Sequence, residues 1–257
     1  MIFLKNQEEI NLIKESAQIL GKTFGIIAKA IKPGIKLKVL DKLAEEFIGD
    51  QGGKPSFKGY QGFPASICTS INETVVHGIP NERILQENDI ISVDCGVSYK
   101  GFHSDSAFTF PVGEISPAAK QLLRITKEAL YLGIDQATAG KRIGDIGQAV
   151  QDYVNKHGYS VVRDLVGHGI GQHLHEDPQV PNYGKQGNGV QLKQGMVLAI
   201  EPMINMGKAH VRQAKDGWTI VTLDHGLSAH FEHTVAIGKE QAEILTTYQY
   251  IEEALKD

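Results

Sequence analysis

The strongest constraint on this chain is that it repeats itself. With "KPGIKLKVLDKLAEEFIGDQGG" (32–53) set against "TAGKRIGDIGQAVQDYVNKHGY" (138–159), 106 positions later, Gly34 meets Gly140, Leu37 meets Ile143 and Leu40 meets Ile146. Phe47 then meets Tyr153, Ile48 meets Val154 and Gly52 meets Gly158. Each stretch predicts an amphipathic helix, over 37–49 and roughly 145–157, closed by Gly52-Gly53 and by Gly158. A further helix precedes each. Over residues 8–31, Ile10, Ile13, Ala17, Leu20, Phe24, Ile27 and Ile31 recur at three- and four-residue steps, with Asn6 and Glu9 as a capping box and "KPG" as the stop. Ser116-Pro117 opens the counterpart, running to about Gln136.

The segments after the two helix pairs correspond as well. "NDIISVDCGVSYKGFHSDSAFTF" (88–110) is a turn and a β-branched strand carrying Asp94, and "QGMVLAIEPMI" (194–204) is a turn and an apolar strand carrying Glu201. Asp94 shifted by the same offset falls one position from Glu201. The expected fold is therefore α+β, with two pseudo-symmetric halves and a mostly antiparallel sheet covered by helices on one face. No linker rich in Pro, Gly or Ser separates the halves, roughly 8–110 and 117–237, so residues 1–257 are expected to share one core as a single domain.

Composition narrows the class. A net charge of −4 and scattered basic residues supply no electrostatic reason for direct nucleic-acid binding. Cys68 and Cys95 are too few for a disulfide framework and lack CxxC spacing, which points to a reducing cytoplasm. The start, "MIFLKNQEEI", is neither a signal-peptide core nor a membrane span, and no other stretch approaches the length of apolar sequence that a bilayer needs. A soluble intracellular protein without membrane contact is expected.

The carboxylates inside apolar strands carry the chemistry. Asp94 and Asp105 flank "YKG" and belong to one hairpin. A two-residue turn at Tyr99-Lys100 would set them directly opposite, one at Lys100-Gly101 would set them a diagonal step apart on the same face, and an odd loop length would put them on opposite faces. Glu201 sits in "VLAIEPMI" and Glu232 in "AHFEHTVAI". Singly, each could face solvent. Four together, with no buried-looking Lys or Arg nearby in sequence to pair them, favour metal. Carboxylates with imidazole and no thiolate suit Mn, Fe, Co or Zn, and two divalent ions would balance four negative charges. The histidines of "VGHGIGQHLHEDP" (166–178) are the available imidazoles. No HExxH or GxSxG is present, "GHGIG" is not GxGxxG, and Cys68 reads more readily as a strand cysteine than as a nucleophile paired with His77.

These segments, with "SICTSINETVVHGIP" (66–80), "KDGWTIVTLD" (215–224) and "LSAHFEHTVAI" (227–237), resemble the type I methionine aminopeptidases in their short bacterial form, over nearly the whole chain. The resemblance implies the pita-bread fold and a dinuclear centre. Asp105 and Glu232 would bridge both ions, Asp94 would chelate one, and His168 and Glu201 would hold the other. It implies hydrolysis of N-terminal methionine from nascent polypeptides, favouring a small second residue, by a metal-bound hydroxide. Glu201 would move the proton, His77 would contact the leaving-group side and His175 would stabilise the oxyanion; His173 matches nothing catalytic. Tyr60, Phe63, Cys68, His77 and Trp218 would receive the methionine. Gln61 and Leu174 depart from the usual pattern at the pocket mouth, where selectivity for the second residue is set. Asn72, Thr74 and Ser228 resemble a monovalent-cation site seen in some members. The implied partners are N-terminal peptides, with transient ribosome association, for a protein acting as a monomer in the cytoplasm. A prolidase or aminopeptidase P relative would ordinarily carry an additional N-terminal domain. A non-catalytic binding protein of this fold would ordinarily have lost metal ligands, and all five are present.

Overall fold

The computed structural model describes residues 1–256. Helix α1 (Gln7–Ala30) starts at Asn6, whose side chain accepts from the Glu9 N–H at 3.0 Å while the Glu9 carboxylate accepts from the Asn6 N–H at 2.8 Å. α2 (Leu37–Asp50) is next, and the second pair comprises α3 (Pro117–Ile134), capped by Ser116, and α4 (Ile143–Lys156). α4 begins earlier than its apolar period predicts because Asp145 reaches back to accept the Arg142 N–H at 2.7 Å. A short α5 (Gln249–Ala254) packs on α1 near the end of the chain.

The repeat is visible in the backbone. Gly34 and Gly140 both have φ of +94°. The Gly34 N–H donates to the Leu85 carbonyl at 2.8 Å and the Gly140 N–H to the Leu192 carbonyl at 3.0 Å. One turn on, Leu37 N–H donates to Arg83 C=O and Ile143 N–H to Val190 C=O, both at 3.0 Å. The paired core positions Leu40 and Ile146, and Ile48 and Val154, are all fully buried.

Nine strands form the main sheet: β1 (Lys54–Pro55), β2 (Ile67–Ile71), β3 (Ile90–Tyr99), β4 (Phe102–Pro111), β5 (Gly167–Gly169), β6 (Glu176–Val180), β7 (Val197–Ile200), β8 (Glu232–Ala236) and β9 (Glu243–Ile244). The order is β1-β3-β4-β8-β7-β5-β6, with β2 also on β3 and β9 also on β8, and every pair is antiparallel. Lys100 and Gly101, with φ of 49° and 84°, make the β3–β4 turn. Of the registers that the sequence allows, this selects the diagonal one: Asp94 faces Ala107 and Asp105 faces Gly96.

Register then sorts the sheet's two faces. Directly paired residues share a face, and faces alternate along each strand. Asp94 pairs with Ala107, and Ala107 with Glu232. His168 pairs with Ala199, two residues before Glu201, and Cys68 pairs with Asp94. All five acidic and imidazole candidates therefore lie on one face. The intervening residues Val93, Cys95, Phe108, Phe110, Leu198, Ile200 and Val235 turn the other way, into one core cluster with α1, α2, α3 and α4. Two small sheets flank the site face. One (Val211–Gln213, Ile220–Thr222, Thr74–Val76) carries Trp218 and His77 at its ends; the other contains Ser228–His230, Met203–Asn205 and Ser160–Val161. Among the described residues no helix is long and apolar enough to cross a membrane.

A Cβ added to Gly34 or Gly140 meets nothing within 4 Å, so alanine there tests backbone conformation alone. Gly34→Ala and Gly140→Ala are each expected to lower unfolding free energy by about 1–2 kcal/mol in urea denaturation. Unchanged stability at either site would show that the helix start does not need a left-handed residue.

Candidate active site

Two sheet strands of the first half and three of the second bring the candidate ligands together. Asp105 and Glu232, 3% and 2% exposed, offer oxygens that lie with a His168 nitrogen within 4.8 Å of one another, a group able to hold a metal ion. His168 Nε2 is 3.6 Å from Glu201 Oε1 and 3.9 Å from Asp105 Oδ2. Asp94 completes the set beside Asp105 on the hairpin.

Such a cluster is unfavourable on its own. Burial pushes the Asp94 carboxyl up to about 7, with the neighbouring Asp105 pulling the other way. Asp105 is raised well above the carboxylate range by burial and by the charges of Glu232 and Asp94. Burial, then Asp94 and Asp105, raise Glu201; burial, then Glu201 and Asp94, raise Glu232. Asp94 Oδ1 and Glu232 Oε1 are buried without any hydrogen-bond partner, and each orphaned oxygen carries its full desolvation cost.

The imidazole is set up for the same occupant. His168 Nδ1 lies 2.8 Å from the Gly169 carbonyl, which can only accept, so the proton sits on Nδ1. Burial, with His175 nearby, lowers the ring to about 3 and keeps it neutral. The bare Nε2 lone pair therefore points at carboxylate oxygens, a repulsive arrangement unless a cation lies between them. Orphaned oxygens, converging lone pairs and hard oxygen donors with one imidazole all fit divalent metal ions. Gly167 is required for this approach: a Cβ there would lie 2.3 Å from the Ala199 carbonyl of β7.

A cavity of about 310 Å³ opens from the cluster and is lined by all five candidates together with His77, His175, Tyr60, Phe63, Cys68 and Trp218. Phe63 and Trp218 meet edge to face at 5.1 Å between centroids. His175 Nδ1 and the Tyr60 hydroxyl are 2.7 Å apart, and the His175 ring stands edge-on to His168 at 4.3 Å. His77 has a positive φ of 58°, a strained conformation that aims its ring into the cavity; burial, with His175 near, lowers it to about 4. Gln61, φ 47°, is exposed at the rim, whereas Leu174 is buried and forms part of the apolar wall. His173 is exposed and does not line this cavity.

Phe57, Val76, Leu165 and Met203 also line the cavity, and neither motif nor resemblance singles them out. Met203 has a usable signal, standing two residues from Glu201; the others come from loops and the flanking sheet, where no period marks the inward face. His230, buried beside Glu201, is likewise unmarked in the sequence. Asn72 and Ser228 do come together, the Ser228 N–H donating to the Asn72 carbonyl at 2.9 Å, and Thr74 begins the neighbouring strand. Their side chains are otherwise engaged: Asn72 bridges Asp89 and the Ile90 N–H, and the Ser228 hydroxyl lies 2.9 Å from Asn205 Oδ1.

Residues 11–239 match the metallopeptidase family M24, and the chain belongs to that family. Within it the chain belongs with the methionine aminopeptidases. It is 53% identical to the methionine aminopeptidase of Clostridium perfringens over 246 residues, 96% of this chain and 99% of that one. It is 52% identical to methionine aminopeptidase 1 of Bacillus subtilis over the same shares of each chain. The crystal structure of the Thermotoga maritima methionine aminopeptidase superposes with a TM-score of 0.94 at 44% identity, covering 96% of this chain and all of that one. The fold is accordingly the pita-bread fold implied by the resemblance, and its two halves agree with the repeat.

The buried charges make a pH-dependent prediction. The four carboxylates have raised folded-state pKa values. Without metal, the stability they contribute is complete below about pH 4 and is lost as pH rises through the folded values, near 7 for Asp94. The half-buried His77 and the buried His168 are depressed, so their contribution is present above about pH 6.5 and lost below it. From about pH 7 to pH 8, therefore, only the carboxylate contribution changes, and metal-free protein should lose stability. Because protons compete for the same atoms as the metal, the rise in Tm on adding Mn²⁺ should be larger near pH 8 than near pH 6. Equal increments would contradict the assignment of these groups as ligands.

Proposed function

We propose that the chain hydrolyses N-terminal methionine from peptides with a small second residue, with two divalent ions held by Asp94, Asp105, His168, Glu201 and Glu232. The observation that carries this reading is the convergence of four carboxylates, two buried and two partly buried, and one bare imidazole nitrogen on the floor of an aromatic-lined cavity. Asp105 and Glu232 would serve both ions, Asp94 one of them, and His168 with Glu201 the other. Oxygen and imidazole donors suit Co, Mn, Fe or Zn. When bound, the ions supply Lewis acidity and lower the pKa of a coordinated water, so that a nucleophile is available near neutral pH.

The chain's own residues do the rest. Glu201, raised by burial and neighbouring charge, accepts a proton from the attacking water and returns it to the leaving amine. His175, hydrogen-bonded to Tyr60, stabilises the oxyanion, and His77 contacts the leaving-group side. Tyr60, Phe63, Cys68 and Trp218 receive the methionine, whose polarisable thioether packs against aromatic edges. The acidic floor attracts the free α-amino group, which selects chain ends. Gln61, at the rim, bounds the space for the second residue.

Asp94 and Asp105 come from the first half, and His168, Glu201 and Glu232 from the second. The chain therefore works as one catalytic unit, and no second copy is needed to complete the ligand set. The natural substrates are nascent peptides, met in the cytoplasm during transient association with the ribosome; two buried free cysteines suit a reducing compartment. Asn72, Thr74 and Ser228 are proposed as a monovalent-cation site.

The test is metal-dependent release of methionine from Met-Ala-Ser and Met-Leu-Ser peptides. Met-Ala-Ser should be cleaved with kcat/KM at least about 100-fold above Met-Leu-Ser, the rejection expected where a branched side chain meets a closed rim. Asp105→Ala should lose more than about 100-fold in activity, exceeding the effect typical of residues that only support ligands. No release by metal-loaded wild-type protein would overturn the activity, and equal cleavage of both peptides would overturn the selectivity.

A further inference from the structure

His230 stands two positions before Glu232 and is 1% exposed, yet neither ring nitrogen has a hydrogen-bond partner. A neutral imidazole always carries one N–H and one lone pair, so burying both unpaired is costly unless the ring serves a neighbour. The neighbour is Glu201: His230 Nε2 lies 3.7 Å from Oε2, while Oε1 of the same carboxylate lies 3.6 Å from His168 Nε2. One carboxylate thus has a histidine on each oxygen. His168 carries its proton on Nδ1 and presents only a lone pair. His230 Nε2, engaged by nothing else, faces Oε2, and the tautomer protonated there directs its N–H at that oxygen.

The main chain that carries this ring is held in place. The His230 N–H donates to Thr109 Oγ1 at 2.9 Å, and the same hydroxyl donates to the His230 carbonyl at 2.8 Å. On the other side, Asn182 Nδ2 donates to the Glu201 main-chain carbonyl at 3.0 Å. The main chains of both residues are therefore tied down, and the unheld degree of freedom is rotation of the Glu201 carboxylate.

We propose that His230 is a positioning residue for Glu201, its Nε2, facing Oε2 at 3.7 Å, restraining the carboxylate so that Oε1 stays turned toward His168 and the ion pocket. This rests on the reading of Glu201 as ligand and proton acceptor. A ring that served only to fill space would be replaceable by any side chain of similar volume. A donor would be replaceable only by another donor of similar reach.

The experiment compares His230→Gln, His230→Phe and His230→Asn in the full chain. It measures Co²⁺ affinity by calorimetry, the visible absorption of bound Co²⁺, and kcat and KM on Met-Ala-Ser. His230→Phe, which lacks a donor, and His230→Asn, too short to reach Oε2, should each lose about 10–100-fold in kcat or Co²⁺ affinity, with KM within about twofold and a changed Co²⁺ spectrum. His230→Gln should stay within about fivefold of wild type in each. Thermal denaturation checks that each variant is folded, and His230→Asn decides if the phenyl variant is not. Wild-type Co²⁺ affinity and spectrum in the donor-less variants would overturn the proposal, as would a loss in His230→Gln equal to theirs. If wild-type protein released no methionine, the proposed activity would fail, while Co²⁺ affinity and spectrum would still decide the role of His230.

Discussion

The structure is organised around the cost of placing four carboxylates on one buried sheet face. Burial raises the pKa of all four, and neighbouring carboxylates raise Asp105, Glu201 and Glu232 further while Asp105 pulls Asp94 the other way; two of their oxygens have no partner. A fold driven by apolar burial alone would not retain this arrangement, because removing charge from water without compensation is among the most unfavourable steps in folding. Divalent cations bound as proposed would reverse the balance by turning repulsion between ligands into shared attraction. The rest of the sheet holds that geometry rigid: long apolar strands, a tight two-residue turn and helices packed on the opposite face.

The same division explains how one sheet serves two needs. Alternation along each strand sends Val93, Cys95, Phe108, Leu198 and Val235 into the helix-covered core and leaves Asp94, Asp105 and Glu232 on the other side. Stability and chemistry are thus separated by strand period rather than by distance. The flanking three-stranded sheets then close the chemical face, one carrying His77 and Trp218 and the other His230. The product is a cavity with an acidic floor and aromatic walls, suited to a cationic chain end bearing an apolar side chain.

Much of this is legible in the sequence, though unevenly. The capping box at Asn6 and Glu9 and the Ser116-Pro117 start announce α1 and α3, because those signals are local and act within one turn. α4 starts two residues before its apolar period suggests, since Asp145 reads as part of a polar face until it is seen reaching back to Arg142. Leu174, expected at the pocket mouth, is buried in its wall, and Phe57, Val76 and Leu165 line the cavity without a sequence signal. Loop residues carry no period from which an inward direction could be read.

By itself the sequence determined the two-half plan, the carboxylates lodged in apolar strands and the amphipathic helices that cover them, because periodicity and glycine placement are properties of neighbouring residues. It left several registers open for the Asp94–Asp105 hairpin. Only the tertiary structure chose among them, through the left-handed pair Lys100 and Gly101. Only the tertiary structure, too, set His168 Nε2 against Glu201 and Asp105, and His230 against the other oxygen of Glu201. Those contacts join strands far apart in the chain, and their geometry depends on how a whole sheet pairs and twists.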